Sequence, residues 1–155
     1  MPKKQSTIAL ITDFGLQDGY VGVMKGVISN INPLASVIDI SNTIAAQDIF
    51  QAACVLNNSY NYFPKGTIHV VVVDPGVGSD RKILCLKTED YMFLAPDNGV
   101  LSLVIEKEES SSIIEVTNDK FFLPKLSNTF HGRDVFAPVA AHLSNGVDHK
   151  DLGEK

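Results

Sequence analysis

Thr67-Ile68-His69-Val70-Val71-Val72-Val73-Asp74-Pro75-Gly76-Val77-Gly78 is the stretch on which the architecture turns. Its first seven residues form a nearly continuous β-branched run, the pattern of a strand covered on both faces. The flanking sequence agrees. Residues 8–11 are an apolar run closed by Thr12-Asp13 and predict a buried strand. Residues 18–31 place Val21, Met24, Val27, Ile28 and Ile31 at helical spacing and end at Asn32-Pro33, which predicts a helix. A strand over 36–40 and a helix over 47–62, stopped by Pro64-Lys65-Gly66, follow. Beyond the opening stretch, 83–88 and 91–94 predict a hairpin around Glu89-Asp90. A short helix over 99–106, a strand over 112–117 and a helix over 135–143 complete the series, with Pro138 tolerable only near a first turn. Strands alternate with helices. The expected fold is α/β: a mostly parallel central sheet with helices on both faces, Rossmann-like and three-layered, with one antiparallel hairpin.

In such sheets ligands bind beyond the carboxyl ends of the strands. Asp13, Asp74 and the Asp97-Asn98 pair each follow a predicted strand, so they share one rim. The segment from Asp74 to Arg81 and the segment Thr129-Phe130-His131-Gly132-Arg133-Asp134 add charged and titratable groups on glycine-containing turns. Polar groups on irregular backbone held by a rigid scaffold are where chemistry concentrates.

Composition narrows the partners. The chain has 155 residues, which fits one domain spanning 1–155. Its 18 acidic and 13 basic residues leave a net charge of −5, against the basic face that nucleic acid requires. Cys54 and Cys85 lie in apolar runs at no disulfide or zinc spacing, so both are expected as core thiols in a reducing, cytoplasmic setting. The MPKKQST start lacks the apolar stretch of a signal peptide, and no run of about 18 apolar residues occurs, so no membrane is expected.

Each motif has a plain structural reading beside the chemical one. Thr12-Asp13-Phe14-Gly15 shares letters with the kinase magnesium motif, but no glycine-rich loop or catalytic His-Arg-Asp segment precedes it. Asp18 reads as an N-cap of the first helix or as a carboxylate that meets a cation. Asp13 reads as part of a capping turn or as the acceptor for two adjacent ribose hydroxyls. Asp74 and Arg81, seven residues apart, read as a surface ion pair or as site residues. His131 reads as a structural histidine or a titratable group of a site. No metal spacing and no nucleophile elbow occur, so neither a metal nor covalent catalysis is expected.

Four motifs in order, Thr12-Asp13-Phe14-Gly15 with Asp18, Asp74-Pro75-Gly76-Val77-Gly78 with Arg81, Ala95-Pro96-Asp97-Asn98-Gly99, and 129–134 with Ala137-Pro138, closely resemble the S-adenosylmethionine hydroxide adenosyltransferases, relatives of the fluorinating and chlorinating enzymes. The resemblance implies hydrolysis of S-adenosyl-L-methionine to adenosine and methionine by water or hydroxide attack at the ribose C5′. It implies a catalytic trio on Asp74, Arg81 and His131, with Asp13 on the ribose hydroxyls, Asp18 towards the methionine end and Asn98 in the substrate site. S-adenosylmethionine is then the substrate and no cofactor is expected. The halogenating relatives carry tyrosines where this chain has Asp74 and His131, and the fluorinating type has a serine at Gly132 and a long insertion that the 83–94 hairpin lacks. The family forms homotrimers with the site between subunits, and it continues into a smaller β-barrel domain. This chain ends at Lys155, so an N-terminal catalytic domain without that C-terminal domain is expected. A chlorinase-like halogenase and a non-catalytic module that binds S-adenosylmethionine or adenosine stand as alternatives.

The substrate is a sulfonium cation, which suits a negative chain with rim carboxylates. Water has a pKa of about 15.7 and free Asp and His side chains about 3.9 and 6.5, so a carboxylate acting alone as general base is a weak account. The expectation is that Arg81 stabilises developing hydroxide while Asp74 and His131 orient the water and accept its proton.

Overall fold

The computed structural model describes residues 6–109 and 111–154. Of the MPKKQST start only Ser6 and Thr7 fall within it. Seven strands, β1 (Thr7–Thr12), β2 (Ser36–Ser41), β3 (Ile68–Val72), β4 (Ile83–Thr88), β5 (Met92–Pro96), β6 (Ser111–Val116) and β7 (Gly153–Glu154), form one sheet in the order β2-β1-β3-β5-β4-β6-β7. The neighbours β2, β1, β3 and β5 run parallel, and β4, β6 and β7 add on antiparallel.

β3 is the interior strand that its β-branched composition predicts. All five of its residues are buried, and alternate side chains serve different layers. Ile68, Val70 and Val72 join the core under α1 (Tyr20–Ile31) and α4 (Ala137–Ser144). Val71 and the following Val73 join the core under α2 (Ile49–Ser59) and α3 (Ser102–Lys107). His69 faces that second layer too, stacked on Phe93 and ringed edge-on by Tyr60, Phe63 and Tyr91. Neither ring nitrogen has a partner in good hydrogen-bond geometry. Burial pulls its pKa down from 6.5 to about 4, with the Tyr60 backbone opposing part of the shift.

The helices sit where apolar spacing puts them, with ends set by local chemistry. α1 buries Val21, Met24 and Ile28 and stops at an extended Asn32, as the residue before Pro33 must. Gly19, not Asp18, occupies its N-cap position, while the Asp18 carboxylate accepts the Tyr20 N–H from one residue further out. α2 begins at Ile49, two residues later than its spacing suggests. Gln47 is held in the left-handed region at φ 62°, and Asp48 caps the helix by accepting the Gln51 N–H at 2.9 Å. A single 3₁₀ turn, Tyr60–Tyr62, replaces the predicted last turn. Cys85 is buried and its thiol is pushed up to about 12 by burial, whereas Cys54 is only half-buried, so one of the two expected core thiols lies at the margin.

The last helix differs most from its sequence reading. A π-helical segment, Gly132–Phe136, runs directly into α4. Pro138 has no N–H to give the preceding turn, and the Asp134 carbonyl instead accepts the Leu123 N–H at 2.9 Å. The wider π turn is a common feature of functional sites. It sets His131 at the very start of the helical segment.

Candidate active site

β1, β3 and β5 are adjacent and parallel, so their carboxyl ends form one rim. The loop leaving β1 is tied down first. Thr12 is fully buried and donates its hydroxyl to Asn42 Oδ1 at 2.9 Å, and the Gly15 N–H donates to the Asn42 carbonyl. Asp13 therefore leaves the sheet in a fixed direction, with its Oδ2 accepting the Gln47 N–H at 2.8 Å. The carboxylate that sequence reading offers to a ribose thus also pins a strained backbone, and strain of this kind gathers at ligand sites.

Asp74 follows β3 and meets Arg81 across the glycine turn. Arg81 Nε donates to both carboxylate oxygens at 2.9 Å, and Nη2 donates to Oδ2 and approaches His131 Nδ1 at 3.0 Å. The Asp74 and Arg81 side chains are only 5% and 12% exposed, so this pair is no surface ion bridge. Asp74, Arg81 and His131 are contiguous, with the guanidinium between carboxylate and imidazole.

Two glycines make that contact possible. Gly78 adopts φ +80°, and a Cβ there would stand 2.4 Å from the Asn128 carbonyl oxygen. Only glycine lets the 74–81 turn dock on the 127–130 loop, which leads into His131. Gly132 packs as closely: a Cβ on it would lie 3.0 Å from the Tyr20 hydroxyl and 3.2 Å from Phe14. The Tyr20 hydroxyl accepts the Arg133 N–H at 3.1 Å, and its ring contacts Phe14 and Phe130. Burial raises the Tyr20 pKa against the helping bonds and charge around Arg133, so the phenol stays protonated.

Asp134 anchors the same turn from below. Its buried carboxylate accepts the Ser127 N–H at 2.8 Å and Arg133 Nε at 2.7 Å. Burial works against its charge, but the bonds from Arg133 and Ser127 outweigh that and hold the carboxyl below the usual range. Arg133 in turn lies over the Phe130 ring at 5.0 Å.

A pocket of about 100 Å³ opens among Asp13, Phe14, Gln47, Asp74, His131 and Gly132, with Val72, Val77 and Thr129 completing its walls. Asp13, Asp74 and His131 line it together, and Arg81 stands behind them. Asp18 and Asn98 are not among its lining. Asp18 is exposed at the start of α1, and Asn98 braces the β5–α3 turn by donating to the Val73 carbonyl and accepting the Val100 N–H. Sequence reading missed Gln47 and Tyr20, and it placed Asp134 in the 129–134 segment without giving it a role. Nothing in the sequence marks Gln47, which sits at what looks like a helix start. Asp134 and Tyr20 declare themselves only through contacts across the chain. No group of three or more His, Cys, Asp or Glu side chains able to hold a metal ion occurs among the described residues.

The structure is thus an open α/β sheet whose carboxyl-end rim carries a polar pocket and a carboxylate–guanidinium–imidazole row, the place where such sheets take ligands. The chain belongs to the SAM hydroxide adenosyltransferase N-terminal domain family, whose model matches residues 8–153. It is 44% identical to a Methanocaldococcus jannaschii protein named (R)-S-adenosyl-L-methionine hydrolase, an alignment covering 95% of this chain and 57% of that protein. A fluorinase of Actinoplanes sp. is more distant, at 25% identity over 94% of this chain and 57% of its own length. Among solved structures, an uncharacterized conserved protein from Thermotoga maritima superposes with a TM-score of 0.92 and 46% identity, over 95% of this chain and 57% of the other. The chain thus spans a little over half the length of these relatives.

Proposed function

We propose that this chain supplies the N-terminal share of the active site of an S-adenosyl-L-methionine hydrolase, which forms adenosine and L-methionine. The observation that carries the reading is the Asp74–Arg81–His131 row on the wall of the rim pocket. Supporting it are the family and the likeness to the (R)-S-adenosyl-L-methionine hydrolase of M. jannaschii. In the reaction a water oxygen bonds to C5′, the C5′–S bond breaks, and its electron pair neutralises the sulfonium as methionine departs. One proton leaves the water and passes to solvent. Separated charge is not created, so a pocket that excludes bulk water favours the step. Holding the water in line with the C5′–S bond contributes several kcal/mol more. Asp13 holds the organic part from the pocket wall, and Asp18 and Asn98 serve the share of the site that lies outside this pocket.

A second surface completes the pocket in this proposal. About 100 Å³ is less than the roughly 300 Å³ or more of a typical ligand pocket. Leu16, Phe50 and Phe130 are exposed large apolar side chains, each within three residues of a pocket-lining residue. We assign their cover to the rest of a longer chain and to neighbouring copies in a homotrimer. Both cysteines are free thiols, which fits the cytoplasmic setting we propose; no helix among the described residues is long and apolar enough to cross a membrane.

The test is chromatography of S-adenosylmethionine incubated with the 155-residue chain, and with that chain fused to the remaining segment of the M. jannaschii relative. Adenosine and methionine in equal amounts are expected, and no 5′-chloroadenosine when chloride is added. Their absence from both incubations overturns the proposal. The small pocket also favours a second reading for the chain by itself, a non-catalytic module. Calorimetric binding of adenosine or S-adenosylmethionine without turnover in either preparation would support it.

A further inference from the structure

We infer that Arg81 fixes His131 as a neutral imidazole with its proton on Nε2, so that His131 donates a hydrogen bond into the pocket and Asp74 alone is left to take the proton from water. The tautomer follows from the geometry by itself, while its role in catalysis rests on the hydrolase reading.

A guanidinium has five N–H donors and no acceptor, and it stays protonated in proteins. Arg81 Nη2 lies 3.0 Å from His131 Nδ1, so the nitrogen must meet it with a lone pair. Arg81 cannot turn away, because Asp74 grips Nε and Nη2 together and both side chains are nearly buried. A neutral imidazole carries one lone pair and one N–H. With Nδ1 as acceptor, the proton sits on Nε2. Charging the ring would set an Nδ1–H against an Arg81 N–H. The other charged groups around the ring are already engaged. Asp13 and Asp74 line the same pocket and favour a charged ring, but Asp74 is paired with Arg81 and Asp13 is engaged by the Gln47 N–H. Arg133 and Asp134, the charges on the histidine's own turn, are paired with each other.

The consequence reverses half of the role expected from sequence. A ring whose lone pair is spent on Arg81 cannot accept a proton from water. It can offer Nε2–H to one lone pair of the water and so leave the other aimed at C5′. When the C5′–O bond has formed and the C5′–S bond has broken, the oxygen carries two protons. It is then a strongly acidic protonated alcohol, and even a weak base removes one of them. Asp74 meets that need. A carboxylate has about four lone-pair sites, Arg81 makes three contacts to it, and the group lines the pocket. Late proton transfer removes the mismatch between a weak base and bulk water. Arg81 is a positioning residue in this scheme.

The direct test is ¹⁵N NMR of the 155-residue chain labelled at histidine, with His131 assigned through His131→Gln. At neutral pH the expected pattern is an unprotonated, pyridine-type Nδ1 and a protonated Nε2. Arg81→Gln should relax this to a mixture. A His131 protonated at Nδ1, or present as imidazolium, overturns the inference. The second arm compares His131→Gln with His131→Leu in whichever preparation releases adenosine. Glutamine places an amide N–H near the Nε2 position and should retain about tenfold more activity than leucine, the worth of one hydrogen bond. Equal losses overturn the donor role. If no preparation turns over, the hydrolase reading fails, and the NMR arm still decides the tautomer.

Discussion

His69 makes the chain sensitive to acid, and replacing it with phenylalanine should remove that sensitivity. The ring is 1% exposed in a cage of Tyr60, Phe63, Tyr91 and Phe93, and neither nitrogen has a partner in good hydrogen-bond geometry. Burial lowers its pKa from 6.5 to about 4, so the folded chain keeps it neutral over a range in which the unfolded chain protonates it. The unfolded state then binds more protons, and stability falls as pH falls. Above pH 6.5 the residue contributes no pH dependence. Below it the cost grows at about 1.4 kcal/mol per pH unit, to about 2 kcal/mol at pH 5 and about 3 kcal/mol near pH 4, where the folded ring also begins to protonate. That is a large part of the 5–15 kcal/mol that a domain typically has. Urea unfolding of the parent and of His69→Phe at half-unit steps from pH 7.5 to 4.5 isolates the effect, because every other titrating group is common to both. The two stability curves should run parallel above pH 6.5 and diverge below it, with the variant retaining about 2 kcal/mol more at pH 5. Parallel curves down to pH 4.5 would refute the reasoning, since the ring would then have found a partner or water that the cage excludes.

Gly78→Ala combines a left-handed backbone with a 2.4 Å approach to the Asn128 carbonyl, so it should cost upwards of 1 kcal/mol in thermal unfolding and push the 127–130 loop from the 74–81 turn. Chemical shifts of His131 report the second effect, and unchanged shifts would contradict it. Asp134→Ala leaves the Ser127 N–H without its acceptor and should destabilise by about 1–3 kcal/mol, read by denaturant midpoint, with Asp134→Asn milder because its amide oxygen can still accept. Arg81→Lys keeps the charge but loses the fork that holds Asp74 and His131 together, so under the proposed function adenosine release should fall at least tenfold in whichever preparation turns over; unimpaired turnover would mean that the fork is not why arginine is there. Gly132→Ala should displace Tyr20 from the Arg133 N–H, seen as a change in tyrosine fluorescence together with a lower unfolding midpoint.

The sequence by itself determined the layers of this protein and most of its elements. Periodicity and β-branching report how a segment is buried, and burial is what a strand such as β3 or a helix such as α1 responds to. The residues after the strand ends were legible for the same reason, because a parallel strand delivers its next residue to the rim whatever the loops do. Tertiary structure decided which of those residues meet. Arg81 and His131 are fifty positions apart, and their contact depends on Gly78 admitting the Asn128 carbonyl. The left-handed Gln47 on Asp13, the π turn before Pro138 and the Tyr20 hydroxyl beneath Gly132 are likewise set by partners distant in the chain. So is the proton on His131, because a ring's tautomer is chosen by the group packed against it.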